Sequence, residues 1–237
     1  MKANSIFNTL LIAGAVTLTL AMPAQATLQA RDLDGNNVTD AFYDTTLNIT
    51  WLRNANVNGA MIWANAKAWA EDYSFGGYTD WRLPTIVDTG ALGCDGSYSG
   101  TDCGFNVQTT SGTTVYSEMA SLWYDTLGNK AYYDTSGNGP QTGWGLTNTG
   151  DFQNVQSYFY WSGAEYAPVP DYAWYFYTYD GGQSAYDKTN QFSALAVRPG
   201  DVAAASVPEP ETLLLAFTAL AGLGFVRRRQ TVGALAI

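Results

Sequence analysis

Apolar side chains recur at helical spacing in two segments of the chain, and each predicts a helix. The first segment follows Asn58, a residue type that caps helices, and ends at Gly76 and Gly77. Its apolar face consists of Ile62, Trp63, Ala66, Trp69, Ala70 and Tyr73. The second segment begins near Ser117 and ends at Gly128. Its stripe consists of Met119, Leu122, Trp123 and Leu127.

Short runs rich in aromatic and β-branched residues predict strands elsewhere. Residues 42–52 read as a hairpin with its turn at 44–48. Later strands are predicted at 158–161, 173–179 and 194–197, with a turn at 180–182. Residues 86–114 and 134–153 are rich in Gly, Ser and Thr and show no period, which predicts long loops that often carry a site.

The amino-terminal segment has the organisation of a secretion signal. Lys2 precedes an apolar core from Leu10 to Leu20, and Ala24 and Ala26 fit a small-x-small cleavage site. Residues 1–26 are therefore predicted to be removed, so that the mature chain starts at Thr27. The alternative is an uncleaved anchor, but these eleven core residues are fewer than the roughly twenty that a membrane span needs.

The carboxyl-terminal segment has three parts in a fixed order. Pro208, Glu209 and Pro210 precede an apolar stretch from Thr212 to Val226, and Arg227, Arg228 and Arg229 follow it. A helix of this length reaches roughly 22 Å, against a hydrocarbon core of about 30 Å. Snorkelling arginines extend that reach, and their charge places the body of the protein outside the cytoplasm.

This tripartite order resembles the PEP-CTERM sorting signal of Gram-negative bacteria over residues 207–229. The resemblance implies transient inner-membrane anchoring, recognition and cleavage by an exosortase, and a final place at the cell surface or in the extracellular matrix. The chain departs from the family pattern because a tail of residues 230–237 follows the basic cluster. The alternative is a permanently membrane-anchored surface protein.

The region between the two ends is strongly acidic. Residues 27–206 hold seven Lys plus Arg and nineteen Asp plus Glu, which gives a formal charge of −12. Such a body repels phosphate backbones, which excludes nucleic acid as a partner. Sulfated polysaccharides are disfavoured for the same reason unless cations bridge the charges.

The sequence contains no histidine. Nucleophilic triads that use an imidazole base and the usual histidine-bearing zinc sites are therefore excluded. General acid–base chemistry would have to use carboxylates, Lys or Tyr, which leaves a carboxylate-based glycan-active enzyme as the alternative function.

Cys94 and Cys103 are the only cysteines, and they bracket a loop rich in turn-forming residues. In an oxidising exterior the expected state is a structural disulfide, worth about 2.5–3 kcal/mol in the chain-entropy model. A reactive redox pair is the alternative. The loop offers acids rather than the cations that would lower a thiol pKa.

Several short sequence motifs in the region between the two ends occur in a recognisable order. They are Ile49–Leu52, Gly77–Thr85, Tyr160–Ser162, Ala173–Trp174 and Ala196–Pro199. As a set, over residues 40–200, they resemble the DUF1566 family, also called the Lcl C-terminal domain. Within the most specific motif, Trp81 and Leu83 are expected on one face of an extended segment and Arg82 on the other.

The resemblance implies an α+β, C-type lectin-like fold for residues 27–204. That fold packs two helices on a small twisted antiparallel sheet with long ordered loops. Related domains bind glycans or proteins, often with calcium. The related formylglycine-generating enzymes use cysteines near the carboxyl end, whereas both cysteines here lie mid-chain, so that chemistry is not carried over.

Two sets of residues are candidates for binding. Oxygen ligands at alternate positions suggest a calcium site at Asp32, Asp34, Asn36 and Asp40, although Gly35 comes too early for an EF-hand and Tyr43 stands where its glutamate would be. Strand alternation with Trp174 and Phe176 in the core places Tyr175, Tyr177 and Tyr179 on the outer face, where tyrosines stack well on sugars and partners.

Taken together, the sequence predicts an exported, non-catalytic surface or matrix protein. Its body would bind exopolysaccharide or another glycan, or serve a structural role.

Overall fold

The computed structural model describes residues 28–90 and 96–202. In these ranges the fold is mostly β, with three separate antiparallel sheets. The four-stranded sheet has the order β1-β2-β3-β9, the two-stranded sheet pairs β4 with β5, and the three-stranded sheet has the order β6-β7-β8. The strands are β1 Leu28–Arg31, β2 Ala41–Asp44, β3 Ile49–Leu52, β4 Thr110–Ser111, β5 Thr114–Val115, β6 Phe159–Glu165, β7 Tyr172–Tyr177, β8 Gly182–Asp187 and β9 Val197–Pro199.

The predicted fold class, an α+β C-type lectin-like arrangement, is wrong. The structure distributes its strands over sheets of four, two and three strands instead of one sheet carrying two helices. Its helices are short: α1 spans Trp63–Asp72, and α2 spans only Glu118–Ala120 before it continues as a π-helical segment, Ser121–Thr126. The division into three sheets depends on pairings between strands far apart in the sequence, such as β3 with β9, which no local pattern reveals.

The predicted hairpin at 42–52 is confirmed. β2 and β3 pair antiparallel, with Phe42 opposite Trp51. The carboxylate of Asp44 accepts the backbone N–H groups of Thr46 and Leu47 at 2.9 and 3.0 Å, which closes the turn.

Both predicted helices exist, with different boundaries. Asn58 does not cap α1, since the cap position is Ile62, which makes no side-chain capping bond. The start is fixed instead by tertiary contacts: the Trp63 N–H donates to the Lys188 carbonyl, and the Trp63 indole donates to the Ser162 carbonyl. The second helix begins near Ser117 as predicted, and the Ser117 hydroxyl caps it by accepting the Ala120 N–H at 3.1 Å.

The sequence patterns did not predict β1, β4, β5 or β8, and they placed β9 at 194–197 instead of Val197–Pro199. β8 carries glutamine, serine and aspartate on a strand flanked by glycine and lysine, so it lacks an apolar period. Its pairing with β7 over six residue pairs holds it in place.

The segment Trp81–Thr85 connects the two larger sheets. Arg82 exchanges backbone hydrogen bonds with Val197 of β9 at 2.8 and 2.9 Å. The Pro84 carbonyl accepts the Gly163 N–H of β6 at 2.8 Å and the Ser162 hydroxyl at 2.9 Å. Trp81 and Leu83 are each 2% exposed, which confirms that both are buried.

The Arg82 side chain lies on the side of this segment opposite Trp81 and Leu83, and it forms an ion pair with Glu118 at the start of α2. Its two terminal nitrogens donate to the two carboxylate oxygens at 2.7 and 2.8 Å. Glu118 also accepts the Thr85 N–H at 2.7 Å, and its side chain is 6% exposed. One buried carboxylate therefore joins the connecting segment to the helix.

The helices within the described ranges are all too short, or insufficiently apolar, to cross a membrane. The predicted apolar helix at 212–226 and the predicted signal at 1–26 lie outside those ranges.

Asp44 is a buried carboxyl that links folding to pH. Burial, the largest cause, raises its pKa above the ordinary value, although the N–H groups of Leu47 and Thr46 lower it. The folded protein therefore holds this proton at a pH where the unfolded chain has already released it. This group stabilises the fold below its ordinary pKa, and that contribution is lost as pH rises through the window up to the raised value.

We expect an Asp44→Asn variant to lose this dependence. As pH falls through that window, the wild type should gain unfolding free energy relative to the variant, because only the wild type takes up the extra proton. Urea denaturation of both proteins at a series of pH values measures the difference. A difference that moves in the opposite direction would mean that the carboxyl is stabilised as an anion.

Candidate functional site

The outer face of the three-stranded sheet is built by alternation along β7. Trp174 and Phe176 point inward and are each 1% exposed, whereas Tyr175 and Tyr177 lie on the opposite face and are half-buried. The predicted division of these side chains into a core set and an outer set is therefore confirmed for β7.

Neighbouring strands place more rings on the same face. The register sets Phe159 opposite Tyr177, and Tyr186 opposite Ala173. The Phe159 and Tyr177 rings stack with centroids 4.1 Å apart, and Phe192 packs 4.7 Å from Phe159. Offset and edge-to-face packing of this kind fixes ring orientations as well as burying area.

The row of rings continues beyond the sheet onto the loops. Tyr179 lies 5.4 Å from Tyr177 and 5.3 Å from Trp144, and Trp144 lies 4.7 Å from Tyr132. Each ring in this row lies within 6.3 Å of at least one other ring of the row, centroid to centroid. We call the row the aromatic band; it consists of Tyr172, Tyr186, Phe192, Tyr175, Phe159, Tyr158, Tyr177, Tyr179, Trp144, Tyr132, Tyr133 and Tyr98.

Several members of the aromatic band are open to solvent. Tyr186 is 49% exposed, Tyr179 46% and Tyr158 44%. Burial raises the pKa of the Tyr177 phenol, and the nearby Asp180 carboxylate raises it further. Neutral phenols that point out of a rigid apolar face can both stack and donate hydrogen bonds.

The structure separates the three tyrosines that the sequence singled out. Burial raises the pKa of Tyr175, which packs 5.5 Å from Phe192 and so belongs largely to the core. Tyr177 is intermediate, and Tyr179 lies beyond the end of β7 and is the most exposed of the three.

Sequence reasoning did not single out Tyr158, Tyr186 and Trp144 as members of the surface, or Phe192, which is 5% exposed and packs against Phe159 and Tyr175. Trp144 lies in a segment predicted only as loop, and Tyr186 lies on the strand without an apolar period. Nothing in their local pattern shows which ring meets which, because the contacts are made across strands and loops.

The candidate metal residues are partly brought together. Asp32, Asp34 and Asp40 each place a carboxylate oxygen within 4.8 Å of the others. The Asn36 amide oxygen accepts the Val38 N–H at 2.7 Å, and its amide nitrogen donates to the Asp34 carboxylate at 3.0 Å.

Asp32 already accepts the backbone N–H groups of residues 34–37 at 2.6 to 3.2 Å. Burial raises its pKa, but these bonds together bring the pKa below the ordinary value. The cluster therefore organises the loop before β2, and calcium binding stays a prediction.

Other predicted residues fall wholly or partly outside the described ranges. Cys103 is 2% exposed and is not a free thiol, but Cys94 is outside, so their disulfide stays a prediction. The same holds for the cleavage site at Ala24 and Ala26, and for the sorting residues at 208–210 and 227–229.

Comparison with known proteins gives two family matches. Residues 206–229 match the PEP-CTERM protein-sorting motif, which marks an exported protein that an exosortase sorts across the envelope of a Gram-negative bacterium. Residues 40–198 match the Lcl C-terminal domain, and this region includes β2 to β8 and the whole aromatic band. No curated protein and no solved structure matches the chain. With two thirds of its length covered by that domain model, the chain belongs to the Lcl C-terminal domain family.

Proposed function

We propose that this exported protein is a non-catalytic, polysaccharide-binding component of the cell surface or extracellular matrix, and that the aromatic band is its binding face. The observation that carries the proposal is the continuity of the band. Its rings are held against one another at 4.1 to 6.3 Å, so that the exposed ones need no reordering when a ligand arrives.

The shape of the face suits an extended ligand. A rigid row of tyrosines offers apolar ring surfaces to the C–H faces of sugars and phenol groups to their hydroxyls. Rigid aromatic anchors lose little side-chain entropy on binding, which favours them as contact residues.

Charge selects among polysaccharides. The formal charge of −12 on residues 27–206 repels sulfated chains, and the acidic Asp180 flanks Tyr177 in the band. A neutral polysaccharide is therefore the expected ligand of the aromatic band. Sorting to the surface brings the protein to the compartment where such chains are found.

The test is a titration of the purified protein with neutral and sulfated polysaccharides, with and without calcium. We expect binding to a neutral polysaccharide, and a Tyr158→Ala/Tyr179→Ala variant should bind at least about tenfold more weakly, because each truncation removes an exposed contact ring. Tyr43→Ala, on the four-stranded sheet, is the matched control and should bind like the wild type.

Three results would contradict the proposal. They are binding to no polysaccharide, equal binding by the double variant and the wild type, and release of new reducing ends during incubation. The last result would identify the carboxylate-based enzyme, which was the alternative.

A further inference from the structure

A cleft that shares no residue with the aromatic band contains Arg53. Its volume is about 210 Å³. It lies where β3 ends, and it is lined by Thr39, Asp40, Leu52, Arg53, Asn54, Val57, Tyr73, Phe75 and Gln153.

Arg53 differs from most other cations of the protein. Among residues 28–90 and 96–202, five of the seven Lys and Arg side chains form an ion pair with a carboxylate. Arg53 and Lys130 do not, although acidic residues greatly outnumber basic ones. A guanidinium left without a carboxylate in so acidic a chain is available to an anionic ligand.

The guanidinium is also held in position. Its Nε donates to the Asp151 carbonyl at 3.2 Å, and one terminal nitrogen donates to the Thr39 carbonyl at 3.0 Å. Those two carbonyls are its acceptors within the described part of the chain, so three of its five N–H groups remain to be satisfied. A braced guanidinium suits a planar carboxylate, which it can bind with two parallel hydrogen bonds.

The walls of the cleft add contacts suited to a sugar ring. Tyr73 and Phe75 supply aromatic surface, and Asn54 and Gln153 supply amides. The oxygen of Asn54 already accepts the Asn56 N–H and the Asn154 amide, which leaves its own amide N–H₂ as a donor.

Asp40 limits the charge that the cleft accepts. Its carboxylate lines the same cleft, and one of its oxygens accepts the Leu33 N–H at 2.9 Å. A ligand with a single carboxylate can reach Arg53, whereas a densely charged one meets repulsion from Asp40 and from the acidic surface.

We propose that this cleft binds one carboxylate group, presented either by an acidic sugar of the uronic acid type or by a small free carboxylate. The site is independent of the aromatic band, and the two proposals can fail separately.

The test measures binding of glucuronate, glucose and acetate to the full-length protein by ligand-observed NMR or calorimetry. Glucuronate should bind and glucose should not. If acetate binds as tightly as glucuronate, the source is a free carboxylate; if glucuronate binds more tightly, the sugar ring contributes as well. Equal binding of glucose and glucuronate would overturn the proposal.

Variants locate the site. Arg53→Gln should weaken glucuronate binding at least about tenfold, whereas Lys130→Gln, which removes the other unpaired cation, should leave it unchanged. Gln153→Glu keeps the bracing of Arg53 and adds a negative charge to the exposed wall, so it should also weaken binding. Unchanged binding in both Arg53→Gln and Gln153→Glu would overturn the proposal, and Tyr158→Ala/Tyr179→Ala should have no effect.

Discussion

An Arg82→Met variant should lose about 3–5 kcal/mol of unfolding free energy, because it leaves the Glu118 carboxylate buried without its partner. That carboxylate is 6% exposed and accepts both terminal nitrogens of Arg82. Methionine keeps much of the side-chain volume, so that the loss reports the missing charge rather than a cavity. Urea or thermal denaturation of the purified variant measures it.

Two further variants separate the charge effect from a general sensitivity of the surface. Lys67→Met removes one partner of the exposed Lys67–Glu71 pair, whose nitrogen and oxygen are 3.9 Å apart, and should cost about 0.5 kcal/mol or less. Arg82→Met/Glu118→Gln should be more stable than Arg82→Met alone, because no charge is then buried. If Arg82→Met and Lys67→Met cost the same, the ion pair does not stabilise the fold.

A Gly76→Ala variant should be destabilised by about 2–5 kcal/mol, which combines left-handed backbone strain with a steric clash. Gly76 has φ +57°, and a methyl group there would lie 2.1 Å from the Leu33 carbonyl oxygen. Because this clash is with backbone atoms of Leu33, rotation of a side chain cannot relieve it.

Gly77 provides a matched control in the same turn. Phe75 and Tyr78 exchange backbone hydrogen bonds, and both central glycines have positive φ, as a type I′ turn requires. A methyl group at Gly77 would meet nothing within 4 Å, so Gly77→Ala should cost only about 1–2 kcal/mol of strain. Chemical denaturation of the two variants side by side gives the comparison. Equal losses would show that the Leu33 backbone moves away without cost.

Local sequence patterns predicted individual elements better than their assembly. The hairpin at 42–52 and the helix that begins near Ser117 follow from turn residues and apolar spacing close in sequence. The pairing of β9 with β3 depends on residues about 150 positions apart, and no local period reveals it. The fold class was wrong for this reason: several strands were found, but their division into three sheets was not.

The candidate surface shows the same limit. Alternation along β7 correctly placed Tyr175 and Tyr177 on the face opposite Trp174. It could not show that Phe192 covers Tyr175, or that Trp144 extends the row past Tyr179, since those contacts come from other parts of the chain. The Arg53 cleft could not be predicted from the sequence. A basic side chain without a carboxylate partner is recognised only when the positions of all the acidic side chains are known.

The connecting segment Trp81–Thr85 defines a mechanical path through the molecule. The chain leaves the domain just after β9, towards the sorting motif. At this exit, the Asp201 carboxylate forms an ion pair with Arg31 of β1 at 2.7 Å. Tension between that exit and a polymer on the three-stranded sheet would pass from β9 through the Arg82–Val197 hydrogen bonds and into β6 at Pro84. Pulling along β9 loads its three residue pairs with β3 in shear. Several backbone hydrogen bonds then share the force, and this sharing should help a tethered copy of the protein to resist flow.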